Sequence, residues 1–168
     1  MDRYLQRALT AIEAATRGMD SEQLMRGPER KWSAAQILEH LARAYSGTTK
    51  LMQRTLQAGA PSATAPNIRD RIAAGVVVGL RYMPSGRQAP EHTRPRGLKG
   101  EEALNAIRSN LRAMDVALDQ CEQRFGCRCK IANHPVLGPL SISQWRKFHW
   151  VHTRHHMKQI EGLRQSSS

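Results

Sequence analysis

HWVHTRHHMKQ, residues 149–159, decides how this chain reads. It holds four of the seven histidines. Wound as a helix at ~100° per residue, His149, His152, His156 and Gln159 fall within a stripe roughly 80° wide, and His155 points well off it. His152 and His156 are four apart, so their imidazoles are neighbours one turn up the same face. That spacing lets two imidazoles hold one divalent metal at about 2.0–2.1 Å each. Zinc-protease helices pair histidines in the same way, although the Glu that follows the first His there is Thr153 here. Two ligands do not complete a site, so a third has to come from elsewhere in the chain.

The helix carrying this stretch starts at Ser141, a good N-cap whose capping box Gln144 closes. Trp145, Phe148, His149, His152, His156 and Leu163 share its inward side, and residues 164–168 read as a frayed tail. Just upstream, residues 133–140 (NHPVLGPL) read as a rigid loop, because proline fixes φ. Three more helices precede it. Residues 3–17 repeat Tyr4, Leu5, Ala8, Leu9, Ile12 and Ala15 at helical spacing until Gly18. Ser33, with Gln36 three residues on, opens the second helix, whose stripe is Ile37, Leu41, Tyr45, Thr48 and Met52 and which runs out near Gly59-Ala60-Pro61. Residues 101–125 form the third on Ala103, Leu104, Ile107, Leu111, Met114 and Leu118, and Gly126 ends it. His40 lies on the flank of the second helix's stripe, facing the interior or its rim. A lone histidine there is more often a hydrogen-bonded core residue than a ligand.

Between the second and third helices, residues 60–100 change character. Ala, Pro, Ser, Gly and Arg dominate, and the piece Ile72 to Leu80, with Gly75 and Gly79, predicts a bent helix over the other elements. Long excursions of this kind are either functional or flexible. Arg69, Arg71, Arg81, Arg87, Arg94, Arg96 and Lys99 make it a place to look for an anion, and a flexible solvated loop is the competing reading. No internal repeat or second domain is evident. The chain therefore predicts one all-α domain over residues 1–168, a four-helix bundle with a long crossover (60–100) between helices 2 and 3. Such bundles build metal sites from facing helices.

Composition narrows the classes. At 168 residues and 40% hydrophobic, the chain can bury a core. Aromatics are 5%, and three of the eight (Trp145, Phe148, Trp150) lie in or beside the histidine helix. Lys and Arg outnumber Asp and Glu by 26 to 14, a net +12, which points to an anionic partner or to a solvated basic surface. No apolar run approaches the ~20 residues of a membrane span. Asp2 and Glu13, with no apolar core and cleavage site, do not read as a secretory or transit leader. Three cysteines (Cys121, Cys127 and Cys129), an odd number without such a leader, argue for reduced thiols in a cytoplasmic setting. Cys127-Arg128-Cys129 has no matching pair at zinc-ribbon spacing, so idle thiols are the expectation.

Trp32-Ser33 leading to His40, followed by a late helix with His152-x-x-x-His156 and Gln159, resembles the DinB-like superfamily of metal-binding helical bundles, in its YfiT-like group. The run His134-Pro-Val-Leu-Gly-Pro-Leu140 into Trp145 and His-Thr-Arg-His-His is similar to one branch of it. The resemblance covers nearly the whole chain. It implies a metal triad of His40, His152 and His156, with His149 additional to the minimal pattern. It also implies thiol-dependent chemistry, since superfamily members include transferases and an isomerase that use low-molecular-weight thiols, and it allows a homodimer.

Three neutral imidazoles suit Zn²⁺, Ni²⁺ or Fe²⁺ and leave a coordination position open. A water there would drop in pKa, and a thiol co-substrate would be deprotonated. Gln159 is placed to hydrogen-bond a ligand or substrate, and His149 to act as a fourth ligand or proton carrier. Glu39 and Glu22 are general-base candidates only by default. The expectation is a metal-dependent enzyme, by thiol transfer or hydrolysis, acting on a small molecule, with the basic charge favouring an anionic one. The alternatives are a non-catalytic metal-binding or sensing bundle and, behind both, a basic nucleic-acid-binding protein. The last lacks zinc-finger spacing, an RNA-binding aromatic motif and any concentrated basic run.

Overall fold

The computed structural model describes residues 1–29, 31–84 and 88–165. It is mainly α, with six α-helices and one small two-stranded sheet. Four helices are long: α1 (Arg3–Thr16), α3 (Ala34–Ala58), α5 (Gly100–Phe125) and α6 (Ile142–Gln165). They match the four read from periodicity. α2 (Ser21–Met25) and α4 (Ile68–Ala74) are short.

The capping chemistry forms as expected. Ser33 Oγ accepts from Gln36 N and Gln36 Oε1 from Ser33 N, which starts α3. Ser141 and Gln144 make the same reciprocal pair ahead of α6. Gly59 ends α3 at φ 72, a left-handed value that costs glycine little. α3 packs along α5 and α1 along α6. The core between them is Leu5 and Ile12 of α1, Leu38, Leu41, Tyr45 and Met52 of α3, Ile107, Leu111, Met114 and Leu118 of α5, and Val151 and Ile160 of α6. Arg146 of α6 is buried and is paired with Asp119 and Glu122 of α5, so its charge is not left uncompensated.

The mainly-α class holds, and one element departs from the expectation. Residues 130–141 form an antiparallel hairpin, β1 (Lys130–His134) with β2 (Gly138–Ser141), where a rigid loop was expected. The crossover, open between a functional segment and a flexible loop, is tied at both of its ends. Ser62 N donates to Ile131 O, and Thr64 exchanges hydrogen bonds with the Asn133 side chain, so its start runs beside β1. Its middle is α4 followed by a π-helical turn (Gly75–Gly79) seated on α6, which is the bent helix anticipated over residues 72–80. A 3₁₀ turn (Glu91–Thr93) then lies against α3. Arg164 and Gln165, taken as the start of a frayed tail, belong to α6, and Arg164 donates to Ala15 O. Ser166, Ser167, Ser168 and the crossover's Arg87 lie outside the described residues. Among the described residues, no helix is long and apolar enough to cross a membrane.

Gly138 sets the spacing between the hairpin and α4. Its φ is +66, and a Cβ there would sit 2.6 Å from Asp70 Cβ. Asp70 cannot simply swing away, because its carboxylate accepts from Asn67 N in the capping box of α4. Gly138→Ala should therefore lower the urea unfolding free energy by about 2 kcal/mol. An unchanged midpoint would show that the hairpin moves off α4 freely.

Candidate functional site

The polar residues of α3 and α6 meet along one seam. Going down α3, Tyr45 Oη donates to Thr153 Oγ1 (2.5 Å), because the only proton of Thr153 Oγ1 goes to His149 O (2.7 Å). Thr48 Oγ1 lies 2.9 Å from His149 Nε2. At the other end of the seam, His40 faces His152 and His156. His40 Nε2 is 3.2 Å from His152 Nε2, and His156 Nε2 is 3.1 Å from it. All three ligand atoms lie within 4.8 Å of one another. His40 and His156 are buried and His152 is half-buried.

The outer nitrogens decide where the protons are. His40 Nδ1 is 3.0 Å from the Thr93 carbonyl oxygen, which can only accept. His156 Nδ1 is 2.7 Å from Gln159 Oε1, an acceptor as well. Both rings thus carry their proton on Nδ1 and turn the Nε2 lone pair inward, toward His152. One N–H on His152 Nε2 could satisfy only one of them. A second proton is disfavoured. Burial, and then repulsion from neighbouring imidazoles, pulls His156 down to about 3 and His152 well below its ordinary value, and burial lowers His40 despite the Thr93 carbonyl. A divalent cation satisfies all three lone pairs. Two bonds of about 2.0–2.1 Å can span the 3.2 and 3.1 Å that separate His152 Nε2 from His40 Nε2 and His156 Nε2. The donor set therefore fits a metal, and the Thr93 carbonyl and Gln159 amide supply the outer hydrogen bonds of two of the three imidazoles, while His152 Nδ1 has no partner among the described residues.

The other expected site residues are placed as follows. Gln159 reaches His156 through Oε1, and its Nε2 lies 3.3 Å from His155 Nε2. His149 is fully buried but is outside the three-histidine group, with Nε2 on Thr48, so it is not placed as a fourth ligand. Its Nδ1 has no partner among the described residues. Glu39 does not face the cluster. Its carboxylate accepts from the backbone N–H groups of Arg96 (2.7 Å), Gly97 (2.9 Å) and Leu98 (2.9 Å). Glu22 is exposed and paired with Arg26. Cys121, Cys127 and Cys129 are free thiols away from the cluster. Residue patterning missed Thr93, and it placed Thr48 in a helix stripe and Trp32 before a helix start without a site role; the Trp32 ring lies 5.1 Å from that of His40. Thr93 works through its main chain, which no side-chain pattern reports.

The family model described as a protein of unknown function matches residues 4–162. The chain belongs to the DUF1569 family. Among curated proteins, the uncharacterized protein YuaE of Bacillus subtilis (strain 168) is 23% identical over 155 residues, 89% of this chain and 88% of that protein. No solved structure matches the chain.

In this DUF1569 protein, three residues of one helical stretch hold the segment that supplies Thr93. Glu39 binds the N–H groups of residues 96–98, His40 donates to Thr93 O, and Arg43 donates twice to His92 O (2.8 and 3.2 Å). Burial alone would raise the Glu39 carboxyl, but the backbone N–H groups of Leu98, Arg96 and Gly97, with Arg43 nearby, hold it below its ordinary value. Glu39→Gln keeps the shape but turns an amide N–H₂ toward those donors. It should cost about 2 kcal/mol and speed hydrogen exchange at the amides of residues 96–98. Unchanged exchange there would mean that the segment is held by other contacts.

Acid should also loosen the fold. His149 is held down to about 3 by burial and by the nearby His134, and burial holds His134 to about 4. An unfolded histidine titrates near ~6.5, so below that pH the unfolded chain takes up protons that the folded chain refuses. This stabilisation is present above ~6.5 and is lost as pH falls toward those lower values. In chelator-treated protein, the unfolding free energy should decline from about pH 6.5 downward. The decline should be shallower in His149→Phe, and equal slopes would mean that His149 takes up its proton as readily in the folded chain as in the unfolded one.

Proposed function

We propose that this protein is a metal-dependent enzyme built on a four-helix bundle. His40, His152 and His156 hold one divalent ion, Zn²⁺, Ni²⁺ or Fe²⁺. The observation that carries this reading is the convergence of three imidazoles on one point, two of which, His40 and His156, have their Nδ1 protons committed outward and their Nε2 lone pairs turned toward His152. The bundle reading is supported by four long helices packed as α3 along α5 and α1 along α6, with the tied crossover between α3 and α5. The resemblance to the DinB-like superfamily points the same way.

When bound, the metal supplies Lewis-acid activation of a nucleophile, either water for hydrolysis or a low-molecular-weight thiol for group transfer. The chain's own residues do the rest. Thr93 O and Gln159 Oε1 fix the tautomer and tilt of two ligands. Tyr45, Thr48, His149 and Thr153 fix the register of α3 on α6, and so the distance between His40 and the other two. His149 stays neutral and positions its neighbours, because its proton affinity is too low for a base at neutral pH.

One observation favours a second reading, a metal-binding bundle that senses its ion and turns nothing over. None of the described residues lining the groove around the cluster is an Asp or Glu, so no carboxylate base faces it. The two readings separate after a common first step. Elemental mass spectrometry should find about one metal per chain in the wild type, lost in His40→Ala, His152→Ala and His156→Ala and kept in His155→Ala. Metal lost in His155→Ala but kept in His156→Ala would overturn the assignment. Cobalt-substituted protein should then develop a thiolate-to-metal band with glutathione, bacillithiol or mycothiol, or else hydrolyse small esters. Neither response leaves the sensing bundle.

A further inference from the structure

The three histidines sit in the wall of a groove of about 2520 Å³. One side of it is α3, where His40, Arg43, Gly47, Lys50 and Arg54 line the groove at spacings of three and four, one helical face. From His40 to Arg54 that face runs ~21 Å at 1.5 Å per residue. Lys50 and Arg54 are exposed and make no hydrogen bond or ion pair with other described residues. The α4 segment and the hairpin turn add apolar residues to the lining, Ile72, Val76, Met83 and Val136, together with Arg69. Ile72 is 62% exposed and Val136 45%. The groove thus has cations along α3, exposed apolar side chains from the α4 segment and the hairpin turn, and no carboxylate among its described lining residues.

A neutral apolar ligand would leave the α3 cations idle. A wholly polar anion would leave Ile72 and Val136 in water. We propose that the groove takes an amphiphilic anion, a small molecule whose anionic group rests on Lys50 and Arg54 while its apolar body lies on Ile72, Val76 and Val136. Its other end then reaches the histidine cluster. That last step rests on the metal reading above, whereas the binding itself does not. The substrate class is an apolar body about 10–15 Å long with a carboxylate or phosphate at its far end, the length following from the ~15 Å between residues 40 and 50 along α3.

The test uses the full chain, with 8-anilinonaphthalene-1-sulfonate as an anionic apolar probe and N-phenyl-1-naphthylamine as its uncharged counterpart, followed by fluorescence. The sulfonate should bind the wild type about tenfold more tightly than the neutral dye, and the double variant Lys50→Glu/Arg54→Glu should lose about that factor. Gly47→Leu should block both dyes. A Cβ at Gly47 has nothing within 4 Å, so this variant fills the groove without straining the helix. Metal content should be unchanged in both variants, while His156→Ala should lose its metal and keep the dye, so the two readings fail separately. Displacement of the dye by decanoate more than by decyl phosphate assigns a carboxylate, and the reverse assigns a phosphate. The proposal is overturned if the neutral dye binds equally well, if charge reversal or Gly47→Leu leaves sulfonate binding unchanged, or if neither decyl anion displaces it.

Discussion

Neutral imidazole nitrogens that turn their lone pairs on one another inside a protein repel, unless a cation or a shared proton lies between them. Here burial makes the proton a poor answer near neutral pH. Most of the structure around His40, His152 and His156 can be understood as what is needed to hold that unfavourable arrangement in register. α3 and α6 would separate at the cluster if only the cluster joined them. They are joined instead by a buried antiparallel seam, in which Tyr45 meets Thr153 and Thr48 meets His149. Each bond is between groups that would be costly to bury alone. The seam therefore sets the separation of the helices within a fraction of an ångström, and the separation decides whether three nitrogens can share one ion.

The crossover belongs to the same arrangement. Thr93 must offer its carbonyl to His40 Nδ1, yet it sits in a segment with little helix or sheet to hold it. Glu39 and Arg43, one residue before and three after His40, grip that segment by its main chain. A carboxylate accepting three backbone N–H groups makes charge-assisted bonds, stronger than neutral ones, and its own burial is tolerated because both oxygens are occupied. Consecutive residues of one helix thus supply both the ligand and the clamp for the group that orients it.

The chain's periodicity was enough to place the four long helices and the inward face of the last, because capping boxes and apolar stripes are local signals. Two of the three clustered histidines were legible, His152 and His156 from their spacing, and His40 only through the resemblance, since one histidine on a helix flank has no local signature. The hairpin was hidden because residues 130–141 carry two prolines and no clean alternation, and its pairing comes from packing on α4 and α6. Glu39 was taken as a default base because nothing in the sequence says that three distant backbone amides will claim its carboxylate. The order of the crossover was equally invisible, being conferred by Ser62 and Thr64 on the hairpin and by α3 at the far end.

The net charge of +12 reads at first as a diffuse surface property. The placement of the acids suggests otherwise. Asp2, Asp20 and Asp70 accept from backbone N–H groups at helix starts, and Glu102 accepts from Lys99 N at another. Glu39 is taken by the crossover, Asp119 and Glu122 by Arg146, and Asp115 by the chain's amino group. More than half of the acidic residues are therefore committed to holding the fold, where a carboxylate is worth most. The cations of α3 beyond Arg43 have no such duty. An excess of positive charge then appears where no acid has been placed to offset it, along the groove that opens from the histidine cluster. Along a groove that also carries exposed apolar side chains, that field is less screened than on open surface, and an anion entering it is drawn toward Lys50 and Arg54.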